Sequence, residues 1–231
     1  MNDLTHPGGI EITQKAFNLC RLPKSAKVLD IGCGNGETAA YLTKEYNLCV
    51  TGIDKSREAI SGAKEKYPGI EFLEGDGQSL DFESLSFDCI LMECTLSLMQ
   101  NPIEAIHEAF CVLKMGGYLI IHDLYIPNPT IEDFEALEQT RKSRDECKEK
   151  GTCGEKCFLS CTVNGALVMN DINTELDELA FNILLFEDRK PDVDSFAASR
   201  IFDGSGIDNY CAAQKGKSKI SYCLLVAQKV K

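Results

Sequence analysis

The chain has no apolar run near the roughly 18 residues that a bilayer-crossing helix needs. Its opening stretch, MNDLTHPGGIEIT, has neither a basic leader nor an apolar segment behind one. These absences lead us to expect a soluble, unsecreted, cytoplasmic protein without a membrane span. Positive charge is also in short supply: 24 Lys and Arg face 36 Asp and Glu, a formal charge of −12. Such a field repels phosphate backbones, so no nucleic-acid partner is expected. Lys215, Lys217, Lys219, Lys229 and Lys231 stand without an acid between them, but the first three flank what reads as the turn before a last strand, a solvated hairpin tip. No internal repeat or low-complexity tract is present.

Apolar residues and cysteine are plentiful. With 44% hydrophobic residues over 231 positions, the chain can build one buried core and reads as a single domain. Twelve cysteines without a secretion signal indicate free thiols in a reducing compartment rather than a disulfide framework.

Runs rich in Val, Ile and Leu alternate with helical patterns. Lys27 to Ile31, Leu48 to Ile53, Ile70 to Leu73, Phe87 to Met92 and Tyr118 to Leu124 read as strands. Helical stretches lie between them at Gly36 to Tyr46, Ser56 to Lys66 and Asn101 to Lys114, the last stopped by Gly116 and Gly117. This strand-helix alternation predicts an α/β, Rossmann-like, mostly parallel sheet with helices on both faces. Thr174 to Ala180 and Asp192 to Phe202 read as further helices, and Phe181 to Glu187 and Ser221 to Gln228 as strands six and seven, the last strand antiparallel. Before the first strand, residues 1–22 carry a short helix with Ile12, Ala16, Phe17, Leu19 and Cys20 at helical spacing, placed to close over a ligand. Residues 127–171 read as a cysteine-rich insertion whose helix has Ile131, Phe134 and Leu137 on one side and i,i+4 pairs Glu138–Lys142 and Glu146–Lys150.

The first strand runs into Asp30-Ile31-Gly32-Cys33-Gly34-Asn35-Gly36, a glycine turn that lets a ligand approach the backbone at the mouth of the sheet. A dinucleotide fingerprint would need its third glycine one residue later, where Glu37 stands. Asp30 would repel a pyrophosphate but can hold the cationic amino group of a methionine, so the pattern favours S-adenosylmethionine. Asp54 ends the second strand, where an acid can accept hydrogen bonds from both ribose hydroxyls; helix capping is its alternative role. Asp76 and Gly77 close the third strand, where a carboxylate can meet an adenine amino group, unless they form a plain Asp-Gly turn.

Four segments, VLDIGCGNGE, TGID, EGDGQSL with SFDCILMECTLSLM, and EAFCVLKMGGYLIIHDLY, together resemble a class I S-adenosylmethionine-dependent methyltransferase of the ubiquinone/menaquinone kind over residues 27–125. The resemblance implies that Asp30, Gly32, Cys33 and Gly34 contact the methionine end, Asp54 the ribose, Asp76 and Gly77 the adenine, and that Glu93 flanks the methyl-transfer site. It implies a small-molecule acceptor. Two departures stand out: Leu80-Asp81-Phe82 where many relatives have Leu-Pro-Phe, and Ser97 where many have His.

A sulfonium methyl is already electrophilic, so no universal catalytic residue is expected. His122, at the end of strand five, is a candidate base, set against a structural, hydrogen-bonded histidine. His107 reads as a surface or packing residue, and His6 as part of a disordered leader. Cys147, Cys153, Cys157 and Cys161 are candidate ligands for a soft metal, although their spacing is unlike the paired cysteines of zinc sites, and free thiols are the plainer reading. That cluster keeps open an arsenite-type methyltransferase and a non-catalytic S-adenosylmethionine-binding or thiol/metal-sensing protein. A nicotinamide-dependent dehydrogenase is a further rival.

Overall fold

The computed structural model describes residues 6–149, 165–202 and 220–230. Eight strands form one sheet: β1 (Lys27–Ile31), β2 (Cys49–Asp54), β3 (Glu71–Glu74), β4 (Phe87–Glu93), β5 (Leu113–Ile126), β6 (Leu167–Val168), β7 (Phe181–Asp188) and β8 (Ser221–Lys229). The order is β3-β2-β1-β4-β5-β8-β7, with β6 paired to the end of β5. β8 runs antiparallel to both its neighbours and the other pairs are parallel, as the sequence predicts. The two-residue β6 is additional to the seven strands expected.

The helices are α1 (Gly9–Cys20), α2 (Glu37–Tyr46), α3 (Arg57–Lys66), α4 (Pro102–Val112), α5 (Ile131–Glu149), α6 (Met169–Glu178) and α7 (Lys190–Phe202). They cover both faces of the sheet. Ile12, Ala16 and Phe17 of α1, Leu42 of α2, Ile60 of α3 and Val193 of α7 share one core layer. Ala105, Ile106 and Ala109 of α4, with Ile172 and Leu176 of α6, belong to the other. Alternate residues of the central strands supply the two layers: Val28 and Leu91 face the first, Leu29 and Ile90 the second. Side chains buried on both faces explain why these strands read as continuous apolar runs.

Local chemistry sets the helix starts. The Ser56 hydroxyl accepts from Ala59 N–H at 3.1 Å, and the Asn101 side chain accepts from Glu104 N–H ahead of Pro102. Two boundaries differ from expectation. α4 stops at Val112 rather than Lys114, because Leu113 turns extended, is fully buried and pairs with Phe87. α6 begins at Met169 rather than Thr174, since Met169, Ile172 and Leu176 recur at helical spacing and are all buried. Lys229 is buried, 3% exposed, and its ammonium donates to Phe110 O and Leu113 O at 2.7 and 2.9 Å. These carbonyls lie at the C-terminal end of α4, where a cation is favourable. Among the described residues, no helix is long and apolar enough to cross a membrane.

Candidate active site

The sequence-predicted residues converge where β1, β2 and β4 end. Gly32 N–H and Cys33 N–H both donate to Ile53 O, at 2.8 and 3.0 Å, tying the glycine turn to β2. Gly34 N–H donates to Asp54 Oδ2 at 3.0 Å, and Ser56 N–H to Oδ1 at 2.8 Å. Asp54 therefore braces the turn and the start of α3, and each oxygen keeps a lone pair for a further donor.

Glycine is required at Gly32 and Gly34 for different reasons. At Gly32, φ is +79° and a Cβ would stand 2.1 Å from Thr95 Oγ1. At Gly34, φ is +51° but a Cβ would meet nothing within 4 Å. The first glycine permits packing, whereas the second borders open space. Cys33 turns its thiol toward Gly52, and burial, with Asp30 and Asp54 nearby, pushes that thiol well above the usual range.

Asp30 is 2% exposed, and its Oδ2 has no hydrogen-bond partner. Burial, reinforced by the charges of Glu93 and Asp54, raises its pKa well above that of an ordinary carboxyl. A buried acid oxygen without a donor, beside an open glycine turn, fits a cationic group from outside the chain.

Asp76 accepts from Gln78 N–H at 2.9 Å and pairs with Lys55 at 2.8 Å. Burial opposes its ionisation, but Lys55 and Gln78 outweigh that and hold its pKa below the usual value. An open depression beside it is lined by Lys55, Arg57, Glu74, Gly75 and Asp76. Gly77 lies against Ile31 and Met99, where a Cβ would stand 2.5 Å from Ile31 Cγ2.

Glu93, the last residue of β4, accepts from Thr13 Oγ1 of α1 at 2.6 Å and from Thr38 Oγ1 of α2 at 2.7 Å. His122 Nδ1 lies 3.3 Å from its Oε1, and His6 Nε2 3.7 Å from its Oε2. Burial works against the charge on Glu93, but His122, His6 and the two hydroxyls prevail, so its pKa is lowered. His122 is fully buried and neither ring nitrogen has a hydrogen-bond partner; burial, with His6 adding and Glu93 opposing, brings its pKa down to about 4.

Sequence reasoning missed the convergence of His6, Thr13 and Thr38 on Glu93. His6, expected in a disordered leader, is 7% exposed. Thr13 carried a signal, a polar residue within the apolar stripe of α1, where it is completely buried. Ser97, one of the departures noted, donates its hydroxyl to Asp123 Oδ1 at 2.6 Å and its N–H to Oδ2 at 2.9 Å. Burial pushes Asp123 up to about 6, with the Ser97 bonds restraining the rise. His107 sits at the surface, 2.6 Å from Glu175. Cys153, Cys157 and Cys161 lie outside the described residues, and so does the side chain of Cys147.

A family model described as a methyltransferase domain matches residues 22–181. The chain belongs to this methyltransferase family. Among curated relatives, demethylmenaquinone methyltransferase of Chlorobaculum tepidum is 33% identical over 108 residues, 47% of this chain and 45% of that one. Phosphoethanolamine N-methyltransferase of Triticum aestivum is 33% identical over 139 residues, 58% of this chain and 28% of that one. The methyltransferase chain thus spans less than half the length of these relatives. Geranyl diphosphate C-methyltransferase of Streptomyces coelicolor A3(2), solved with S-adenosyl-L-homocysteine, shares the fold at TM-score 0.75 and 11% identity, covering 96% of this chain and 78% of that one. Family and fold bear out the resemblance to class I S-adenosylmethionine-dependent methyltransferases drawn from the four motifs.

Proposed function

We propose that this chain transfers the methyl group of S-adenosylmethionine to a small-molecule acceptor. The observation that carries the reading is the unpartnered, buried Oδ2 of Asp30 beside the open turn at Gly34. Asp30 takes the ammonium of the methionine end, and Gly32, Cys33 and Gly34 supply backbone that a ligand can approach. Asp54, already fixed by two backbone N–H donors, receives the ribose hydroxyls through its remaining lone pairs. Asp76 borders the open depression assigned to the adenine, and Gly77 follows it, packed against Ile31 and Met99. Glu93 flanks the reacting end, tied to both α1 and α2.

When bound, S-adenosylmethionine supplies a sulfonium methyl that needs no further activation, so the protein's task is alignment and exclusion of water. α1 serves the second purpose, since Thr13 fastens it over the buried carboxylate. The relatives named above act on a quinone precursor and on phosphoethanolamine, which supports a small-molecule acceptor here. Cys20, Cys33, Cys49, Cys89, Cys94, Cys111 and Cys223 are free thiols, in keeping with a reducing, cytoplasmic setting.

Calorimetric titration of the reduced protein with S-adenosylhomocysteine tests the proposal, with NADH as the control ligand. Binding of S-adenosylhomocysteine alone is expected, weakened by about tenfold or more in Asp54→Ala, a loss near 1.4 kcal/mol. A wild type that ignores S-adenosylhomocysteine would remove the reading.

A further inference from the structure

Besides Asp30, the described residues leave two buried side chains short of hydrogen-bond partners, Ser86 and His122, and of the two His122 adjoins Glu93. Its Nδ1 has the Glu93 carboxylate within reach but its Nε2 has no partner, and a buried nitrogen left unpaired is a cost to folding, so Nε2 marks a group held for a partner that arrives from outside. The sheet register sets it directly opposite Glu93. Its Nδ1 faces Glu93 Oε1 at 3.3 Å, which leaves Nε2 to accept a proton. His6 stands on the other side of the carboxylate, its ring 6.0 Å from that of His122. The Thr13 and Thr38 hydroxyls fix the carboxylate between the two rings. The other titratable groups around this pair are Asp30 on β1, Cys94 after β4, Asp123 on β5 and Tyr222 on β8, of which Cys94 and Tyr222 contact each other at 3.1 Å. Among the described residues, no lysine or arginine pairs with His6, Glu93 or His122, so these described groups offer a phosphate no cationic partner.

We propose that His122 accepts the proton released by an uncharged, hydroxyl-bearing acceptor of phenol or quinol type, and that Glu93 holds the imidazolium so formed. This rests on the methyl-transfer reading. The bond that forms joins the transferred carbon to the acceptor oxygen, the carbon–sulfur bond breaks with its electron pair returning to sulfur, and the hydroxyl proton moves to Nε2. Positive charge leaves the sulfonium and reappears on His122 beside Glu93, so the site carries the same total charge before and after. The arrangement follows the logic of a base oriented and stabilised by a carboxylate. In this conformation α1 seals the site, through Thr13 on Glu93, Gln14 on Tyr41 at 2.6 Å and the Lys15–Glu187 ion pair. The acceptor enters when α1 lifts and the Thr13–Glu93 bond opens.

Two measurements on the full chain test this. With only three histidines, imidazole nitrogen resonances are readily assigned, His122 by comparison with His122→Asn. Adding phenol to the S-adenosylhomocysteine complex should shift His122 Nε2 and leave His107 unmoved; an unmoved Nε2 overturns the proposal. Methyl transfer from labelled S-adenosylmethionine is then followed with catechol, hydroquinone, phosphoethanolamine and arsenite. Transfer to catechol or hydroquinone is expected, with kcat reduced by about 100-fold in His122→Asn and S-adenosylhomocysteine affinity retained. His122→Gln serves where the asparagine variant fails to fold. Transfer only to phosphoethanolamine or arsenite, no transfer to either hydroxyl compound, or full kcat in both variants overturns the proposal. Failure of the wild type to bind S-adenosylhomocysteine is a different result, because it removes the methyl-transfer reading beneath it.

Discussion

One added methyl group distinguishes the two glycines of the turn. In Gly32→Ala the new Cβ collides with Thr95 at an unfavourable φ, so the variant should lose about 2–4 kcal/mol of stability, measured by urea denaturation. Gly34→Ala meets no protein atom and should lose only the cost of its positive φ, about 1–2 kcal/mol, yet its Cβ enters the open space assigned to the cofactor. Calorimetry should therefore show strongly weakened S-adenosylhomocysteine binding in a protein that remains folded. If Gly34→Ala binds as the wild type does, the ligand does not approach that turn. Asp30 adds a pH dependence. Its raised pKa means that a cationic ligand must bind as the carboxyl ionises, so affinity should rise with pH up to that pKa, by at most about tenfold per unit. In Asp30→Asn the affinity should be lower and this slope absent.

Thr13 links two segments far apart in sequence. Thr13→Val keeps the shape and removes the donor to Glu93, which should cost about 1–2 kcal/mol and loosen α1. Hydrogen exchange should quicken across Gly9–Cys20 while α2, held by its own packing, stays protected; equal quickening in both helices would mean that Thr13 matters only to global stability. How legible each element was follows from the same local-to-distant contrast. The five leading strands and the Ser56 and Asn101 caps could be read because their signals lie within a few residues. β6 could not, since two residues show no period and pair only because β5 runs on to Ile126. Asp30 and the glycine turn were legible as a contiguous motif. His6, Thr13, Thr38 and His122 meet at Glu93 through tertiary packing, and only chain folding brings their separate positions together.

Across the whole molecule, buried ionisable groups make stability depend on pH in an uncommon direction. Asp30 and Asp123 have raised folded-state pKa values, the latter about 6, so their contribution is complete below the unfolded value of about 3.9 and is lost as pH rises through the folded values. His122, lowered to about 4, acts oppositely: its contribution is present above about 6.5 and is lost as pH falls toward the folded value. From about pH 7.5 to about pH 5.5 the raised carboxyls thus favour the native state as protons are added, and the lowered imidazole opposes them. With two carboxyls set against one imidazole, the ligand-free protein should become more stable on acidification over this window. The formal charge of −12 adds to the trend, because protonation relieves self-repulsion. Urea midpoints across this window measure the slope. In Asp30→Asn only the opposed pair Asp123 and His122 remains, so the slope should flatten. Saturating S-adenosylhomocysteine should flatten it likewise, by holding Asp30 ionised against the ammonium. A wild type already as flat as the variant would mean that Asp30 is charged without the ligand. Its unpartnered oxygen would then have a counter-ion within the chain, and the assignment of the ammonium site would have to move elsewhere.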